Sequence, residues 1–200
     1  SGRQRRIAVI VALTLGVSLL VGALLVRPAG PDCERVADGL GGVWDEARRQ
    51  EVRAAFAATA LPFADETLVR VERGLDRFAD TWTTQAKAHC EAARTDDADR
   101  EQCLERRRVE LRALVDVFAR ADVATVERAS GAAERLRDPA LCGDPAALAA
   151  EQALAPLPAD RALAALVWTL RERLASVRFL ELAGRFDEGA REIAVRTVAE

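Results

Sequence analysis

Apolar residues run without interruption near the N-terminus, from Ile7 to Val26. Twenty residues without a charge form a helix of about 30 Å, which matches the hydrocarbon core of a bilayer. Three arginines stand within residues 1–6, so the positive-inside rule makes these residues a cytoplasmic basic stub and places everything after the segment outside. We therefore expect an uncleaved, single-pass transmembrane helix over residues 7–26. The alternative is a cleaved signal peptide, which usually has a shorter apolar core and a small-residue cleavage site.

Small residues recur four apart in this segment, at Ala12 and Gly16 and again at Ser18 and Gly22. Small residues at this spacing let two membrane helices approach closely. A homodimer formed through the membrane is therefore one hypothesis, although the same spacing also arises by chance.

After the segment, apolar residues return at helical spacing and predict an all-α fold, with an antiparallel bundle over residues 27–158. A first helix is expected over about residues 45–58, and a longer one reaches about residue 94. The apolar seam of the longer helix consists of Leu68, Val71, Leu75, Phe78 and Trp82. Asp97 or Asp99 is expected to cap the next helix. That helix should bury Leu104, Leu111, Val115 and Phe118 and carry Arg106, Arg107 and Arg108 on its other face.

Further helix boundaries follow from caps and prolines. Asp122 is expected to cap a helix that ends before Asp138 and Pro139, and a short alanine-rich helix follows Gly143. A long helix should begin at Asp160. Its buried face is expected to contain Leu163, Val167, Leu170, Leu174 and Val177.

The C-terminal residues 159–200 have the spacing of a tetratricopeptide-like (TPR-like) helical hairpin. The pattern consists of Leu180, Gly184, Phe186, Gly189 and Ile193, with the turn at residues 184–186. Gly189 stands where a tetratricopeptide repeat typically has alanine, and Arg196 stands where a small residue packs. The segment would therefore be a degenerate first repeat. The alternative is an unrelated helical hairpin. Because a single repeat cannot bury its own apolar face, we expect the repeat to be truncated here and others to follow it.

Composition narrows the class of protein. Half of the residues are hydrophobic and 30% are charged, which excludes a wholly disordered chain. The net charge of −3 argues against nucleic acid as a partner. Only one of the 29 basic residues, Lys87, is a lysine, which suggests a GC-rich bacterial source, and the absence of methionine suggests a fragment or a processed product.

All four cysteines, Cys33, Cys90, Cys103 and Cys142, follow the membrane segment. In an oxidising compartment they should form two disulfides, for which three pairings exist. A hairpin turn near residues 95–99 would place Cys90 opposite Cys103, which favours the pairs Cys90–Cys103 and Cys33–Cys142. The alternative is a zinc site at Cys90 and Cys103 with His89, but the Cys-x-x-Cys spacing of such sites is absent from the sequence.

A search for catalytic motifs gives no candidate. His89 is the only histidine, and the sequence contains no Gly-x-Ser-x-Gly motif. The glycines of residues 39–42 lack the Lys-Ser/Thr of a phosphate-binding loop, and the aspartates of residues 96–99 lack the spacing of a calcium loop. We therefore expect no catalytic site, cofactor or metal in this chain.

Several short motifs nevertheless occur in a specific order. After the apolar segment and Cys33 they are GVWD at 42–45, RR at 48–49, VRAAF at 52–56, AT at 58–59, LPFA at 61–64, LDRF at 75–78, Trp82, HCEA at 89–92, CLERR at 103–107, ELRAL at 110–114, AD at 121–122 and LC at 141–142. This order resembles the region after the membrane helix of large transmembrane serine/threonine protein kinases of the myxobacterial type.

The resemblance implies a cytoplasmic kinase domain upstream of Ser1, a helical segment outside the inner membrane, and tetratricopeptide repeats after it. ATP and Mg²⁺ would then be used only by the upstream domain, because the kinase motifs are absent from this sequence. The implied function is an extracytoplasmic, periplasmic sensor or docking segment that binds a protein or peptide. The alternative is a stand-alone, membrane-anchored TPR-like adaptor in the periplasm.

Overall fold

A computed structural model of the chain describes residues 33–92, 98–154 and 157–197. The predicted cytoplasmic stub and transmembrane helix, residues 1–26, lie outside these ranges, as does the candidate cap Asp97. Within the described ranges, none of the helices combines the length and apolar character that crossing a membrane requires.

The described residues are helical and contain no strand, which confirms the all-α class. Two 3-10 helices cover Cys33–Leu40 (the first 3-10 helix) and Pro139–Gly143 (the second 3-10 helix). The α-helices are α1 (Glu46–Ala58), α2 (Ala64–Ala92), α3 (Ala98–Phe118), α4 (Val123–Ala133), α5 (Pro145–Leu154), α6 (Arg161–Leu182) and α7 (Phe186–Thr197).

Three of the predicted helix starts are confirmed by aspartate caps. The carboxylate of Asp45 accepts the N–H of Arg48 at 3.0 Å, and those of Asp122 and Asp160 accept the N–H three residues further on at 2.8 and 2.9 Å. Each bond satisfies one of the backbone donors that a helix start leaves open. Asp99 has a different place, because it lies within the first turn of α3.

The core forms between α2 and α3 and is closed by α1 and α4. Four of the five predicted seam residues of α2, from Val71 to Trp82, are buried, and Leu68 is half-buried. The indole N–H of Trp82 donates to the Leu104 carbonyl at 2.8 Å, which joins α2 to α3. Phe56 of α1 meets Phe118 of α3 edge to face, with 5.8 Å between ring centroids.

The predicted buried face of α3 is confirmed, but two other predicted helix faces are wrong. On α3, Arg107 is 0% exposed instead of lying on a solvated face, because α3 contacts α1, α2, α4, α5 and α6 and so has buried positions around most of its circumference. On α6, Leu163, Leu170 and Leu174 are 54%, 44% and 64% exposed. Of the predicted face only Val177 is buried, in the C-terminal part of α6.

All four cysteines form disulfides, as predicted, but the predicted pairing is wrong. The bonds are Cys33–Cys90 and Cys103–Cys142, with Cα atoms 5.7 and 5.6 Å apart. The reason lies in the two 3-10 helices, each of which packs against α2.

The first 3-10 helix lies beside the C-terminal half of α2. Glu34 pairs with Lys87 Nζ at 2.6 Å, and Gly39 lies so close to the Trp82 ring that a Cβ there would come within 2.9 Å of it. These contacts bring Cys33 to Cys90. The second 3-10 helix packs on both α2 and α3 and places Cys142 beside Cys103.

Helices α6 and α7 pack together as a helical hairpin at the C-terminal end of the described residues. Gly184 has a φ of +82°, a backbone conformation that glycine adopts at least cost, and the Arg185 N–H donates to the Leu180 carbonyl at 2.8 Å. Gly189 of α7 is buried, and a Cβ added at this position would lie 3.8 Å from Val177 Cγ1. Helix α6 also packs on α3, so the described residues form one compact unit.

Candidate functional site

An open cavity of about 320 Å³ lies where α3, α5 and α6 meet. Its charged lining consists of Arg106, Glu110, Arg137, Glu151, Arg171 and Arg178, and its apolar lining of Val109, Leu154, Trp168, Leu174 and Ala175. We call this the arginine cavity. Charged side chains that converge on a partly apolar concave site are typical of a binding site.

Glu151 of α5 anchors the charged side of the cavity. Arg106 Nη2 donates to Glu151 at 2.8 Å, and Arg107, one residue further along α3, donates to the other carboxylate oxygen. Arg137 Nη1 stands 3.6 Å from the same carboxylate. Because consecutive residues of a helix point in different directions, Arg106 lines the cavity whereas Arg107 lies buried behind it.

Glu110 is one turn further along α3 and has a looser environment. Its Oε1 lies 3.8 Å from Arg137, 3.8 Å from Arg178 and 3.9 Å from Arg107, all beyond hydrogen-bonding distance. Its buried Oε2 accepts no hydrogen bond from the described residues. Glu110 is therefore held by the charges of the neighbouring guanidinium groups, and its Oε2 can accept a further hydrogen bond.

The pKa values at the cavity follow from burial and an excess of positive charge. Burial acts to raise the pKa of Glu151, but the hydrogen bond from Arg107 and the charges of Arg107 and Arg106 outweigh it, so the net pKa is lowered. Burial, followed by the neighbouring charge of Arg106, lowers the pKa of Arg171. Both shifts have the sign expected where guanidinium groups outnumber carboxylates.

Apolar side chains lie among these charges. The Arg171 guanidinium stacks over the Trp168 ring, 5.6 Å from its centroid, which orients both groups along the cavity. Leu174 stands beside them, and Leu154 at the end of α5 is 86% exposed. The exposed row continues from the cavity along α6 through Leu170, Leu166 and Leu163.

The residues singled out in the sequence lie elsewhere. His89 is next to the disulfide-bonded Cys90 near the end of α2, and the glycines of residues 39–42 turn the chain into α1, with Gly42 at a φ of +70°. No metal-binding group of three or more ligands occurs among the described residues.

The arginine cavity was missed because its parts come from three helices far apart in sequence. One local signal is the run Arg106–Arg107–Arg108 next to Glu110, although helical periodicity predicts a solvated face for these arginines. A second signal is the pair Trp168 and Arg171, which are spaced to meet on one turn of a helix.

No protein-family model, curated protein or solved structure matches this chain.

Proposed function

We propose that this chain is the extracytoplasmic sensing or docking segment of a membrane-anchored bacterial serine/threonine protein kinase. The kinase domain would lie upstream of Ser1 in the cytoplasm and would use ATP and Mg²⁺. The observation that carries the proposal is the arginine cavity with the exposed leucine row of α6, a combination suited to binding a partner.

The disulfides support the placement outside the cytoplasm. Two bonds use all four cysteines, and stable structural disulfides are typical of oxidising compartments such as the periplasm. This fits the orientation that the basic stub and the apolar segment of residues 7–26 predict.

The ordered motifs support the kinase assignment, and the α6–α7 hairpin fits the start of a repeat array. Gly184 at the turn and Gly189 at the helix contact occupy the positions where the TPR-like pattern needs small residues. The same hairpin would also serve a stand-alone periplasmic adaptor, which is the second candidate.

Topology is tested by alkaline phosphatase fused after Pro31 in a bacterial host, since this enzyme is active only where its disulfides form. The fusion should be active, and a control fusion after Arg6 should be inactive. An inactive Pro31 fusion would reverse the topology and remove the basis for an extracytoplasmic segment.

The kinase assignment is tested first by reading the coding sequence upstream of Ser1. A kinase domain there supports the proposal, and its absence favours the adaptor. Autophosphorylation of the parent protein then tests coupling, with Leu166→Ser and Leu170→Ser combined on α6 against the control Val69→Ser on α2, which is also exposed. We expect only the α6 variant to change the rate; equal rates in all three proteins would contradict a docking role for this row.

A further inference from the structure

The arginine cavity has more positive charge than its own carboxylates neutralise. Arg106, Arg137, Arg171 and Arg178 line it and Arg107 lies directly behind, whereas the carboxylates are Glu110 and Glu151. Among the described residues that line the cavity, four guanidinium groups face two carboxylates, so an added anion would be attracted electrostatically.

The kind of anion follows from guanidinium geometry. A guanidinium group is planar and binds a carboxylate through two parallel N–H donors. In the cavity, Glu151 shows a variant of this recognition, because each of its two oxygens accepts one N–H from a different guanidinium group, Arg106 or Arg107. A ligand carboxylate near Arg171 and Arg178 would repeat it.

The apolar lining of the cavity determines the rest of the ligand. Trp168, Leu174 and Val109 line the cavity between the charged residues, so a bare hydrated anion such as phosphate would leave these apolar surfaces unused. A volume of about 320 Å³ is at the low end for ligand sites, which points to a small molecule.

We infer that the arginine cavity binds a small monocarboxylate with an apolar body, about the size of an acylated leucine. The inference rests on the proposed sensing function, because it names the class of ligand that the segment would detect. A free carboxylic acid and the C-terminal carboxylate of a short peptide share this chemistry.

The test is titration calorimetry on the full 200-residue chain in detergent with matched probes. The probes are N-acetyl-leucine, the neutral N-acetyl-leucinamide of nearly the same shape, and acetate, which lacks the apolar body. We expect N-acetyl-leucine to bind in the millimolar range, at least about tenfold more tightly than either control. Equal binding of acid and amide, or of acid and acetate, would overturn the inference, as would no binding of any probe.

Variants place the binding in the cavity. Arg171→Gln should abolish the preference for the acid over the amide, and Leu174→Ser should weaken both. The control Arg161→Gln removes an exposed arginine from the start of the same helix and should change neither affinity. Because Arg171→Gln could perturb folding, its urea midpoint is compared with that of the control. If a folded Arg171→Gln variant still prefers the acid over the amide to the same extent, the acid does not bind in the arginine cavity.

Two further arms separate the possible outcomes. N-acetyl-Ala-Ala-Leu, which carries the same terminal carboxylate, binds more tightly than N-acetyl-leucine if the source is a peptide and more weakly if it is a free acid. Binding without any effect on phosphorylation by the parent protein would refute the sensing function and keep the inference. If the α6 variant, Leu166→Ser with Leu170→Ser, changes phosphorylation but no probe binds, the sensing function is kept and the inference is refuted.

Discussion

Removing either partner of the Arg107–Glu151 ion pair should have unequal effects on stability. Arg107 has no exposed surface, whereas the Glu151 side chain is 21% exposed. We expect Glu151→Gln to destabilise the fold more than Arg107→Met, although both changes delete the same ion pair.

The magnitudes follow from what each variant leaves behind. Glu151→Gln leaves a buried guanidinium whose nearest remaining carboxylate, Glu110, is 3.9 Å from Nη1. Arg107 Nε and Nη1 already lack hydrogen-bond partners, so little other compensation exists. Removing one partner of a buried pair costs about 3–5 kcal/mol, and we expect about 3 because glutamine can still accept a hydrogen bond.

Arg107→Met leaves a carboxylate that remains paired. Arg106 still donates to Glu151 at 2.8 Å, and Arg137 stands 3.6 Å away. Methionine fills much of the arginine volume without a charge to desolvate, so we expect a cost of about 1 kcal/mol or less.

Acid should reproduce the effect of Glu151→Gln. The pKa of Glu151 in the folded chain lies below its ordinary value of 4.5, so its pairing contributes fully above pH 4.5 and is lost as the pH falls below it. The stability of the wild-type chain should therefore fall more steeply in this acid range than that of the Glu151→Gln variant.

Urea unfolding followed by circular dichroism at neutral pH, with disulfides intact, measures both costs. Glu192→Gln on α7 is the matched control, since Glu192 is exposed. A cost for Arg107→Met equal to or above that for Glu151→Gln would refute the reasoning, because it would mean that Arg107 acts through packing.

Three further changes test the fold. Cys103→Ala with Cys142→Ala opens a loop of 39 residues and should lower the free energy of unfolding by about 4 kcal/mol, measured against urea; a loss below about 1 kcal/mol would show that packing alone holds the second 3-10 helix. Asp122→Ala should cost about 1 kcal/mol through the lost cap, seen as a lower melting temperature, and Asp122→Asn should restore it. Gly184→Ala should lower the free energy of unfolding by about 1–2 kcal/mol, because Gly184 has a φ of +82°. Gly131→Ala inside α4, where an added Cβ meets nothing, should raise it by about 0.5–1 kcal/mol. A change of the same sign in both variants would contradict the hairpin turn.

The helix boundaries could be predicted because their signals are local. Asp45, Asp122 and Asp160 each bond to a backbone N–H three residues away, so the sequence contains both partners of the interaction. The seam of α2 was also accessible, since a long helix with one packed stripe has clear periodicity.

The remaining features depend on contacts between distant segments. The cysteine pairing is set by the packing of two 3-10 helices on α2, which brings together segments that are distant in sequence. Arg107 is buried because five helices surround α3. The same limit hid the arginine cavity, whose Glu151 lies 44 residues from Arg107. The leucines of α6 have the period of a buried face, and only the fold shows that part of this face has no neighbour among the described residues.

The two disulfides have a consequence for how the chain would bear tension. Each bond closes a covalent ring, between cysteines 57 positions apart for Cys33–Cys90 and 39 positions apart for Cys103–Cys142, and the rings do not overlap. A stretching force applied to the ends passes through the sulfur atoms, so α1, most of α2, most of α3 and all of α4 lie outside the load path. At full extension the rings would withhold about 200 Å and about 140 Å of contour length. Force would instead act on the α2–α3 connection and on the segment after Cys142, which includes α5 and α6 of the arginine cavity.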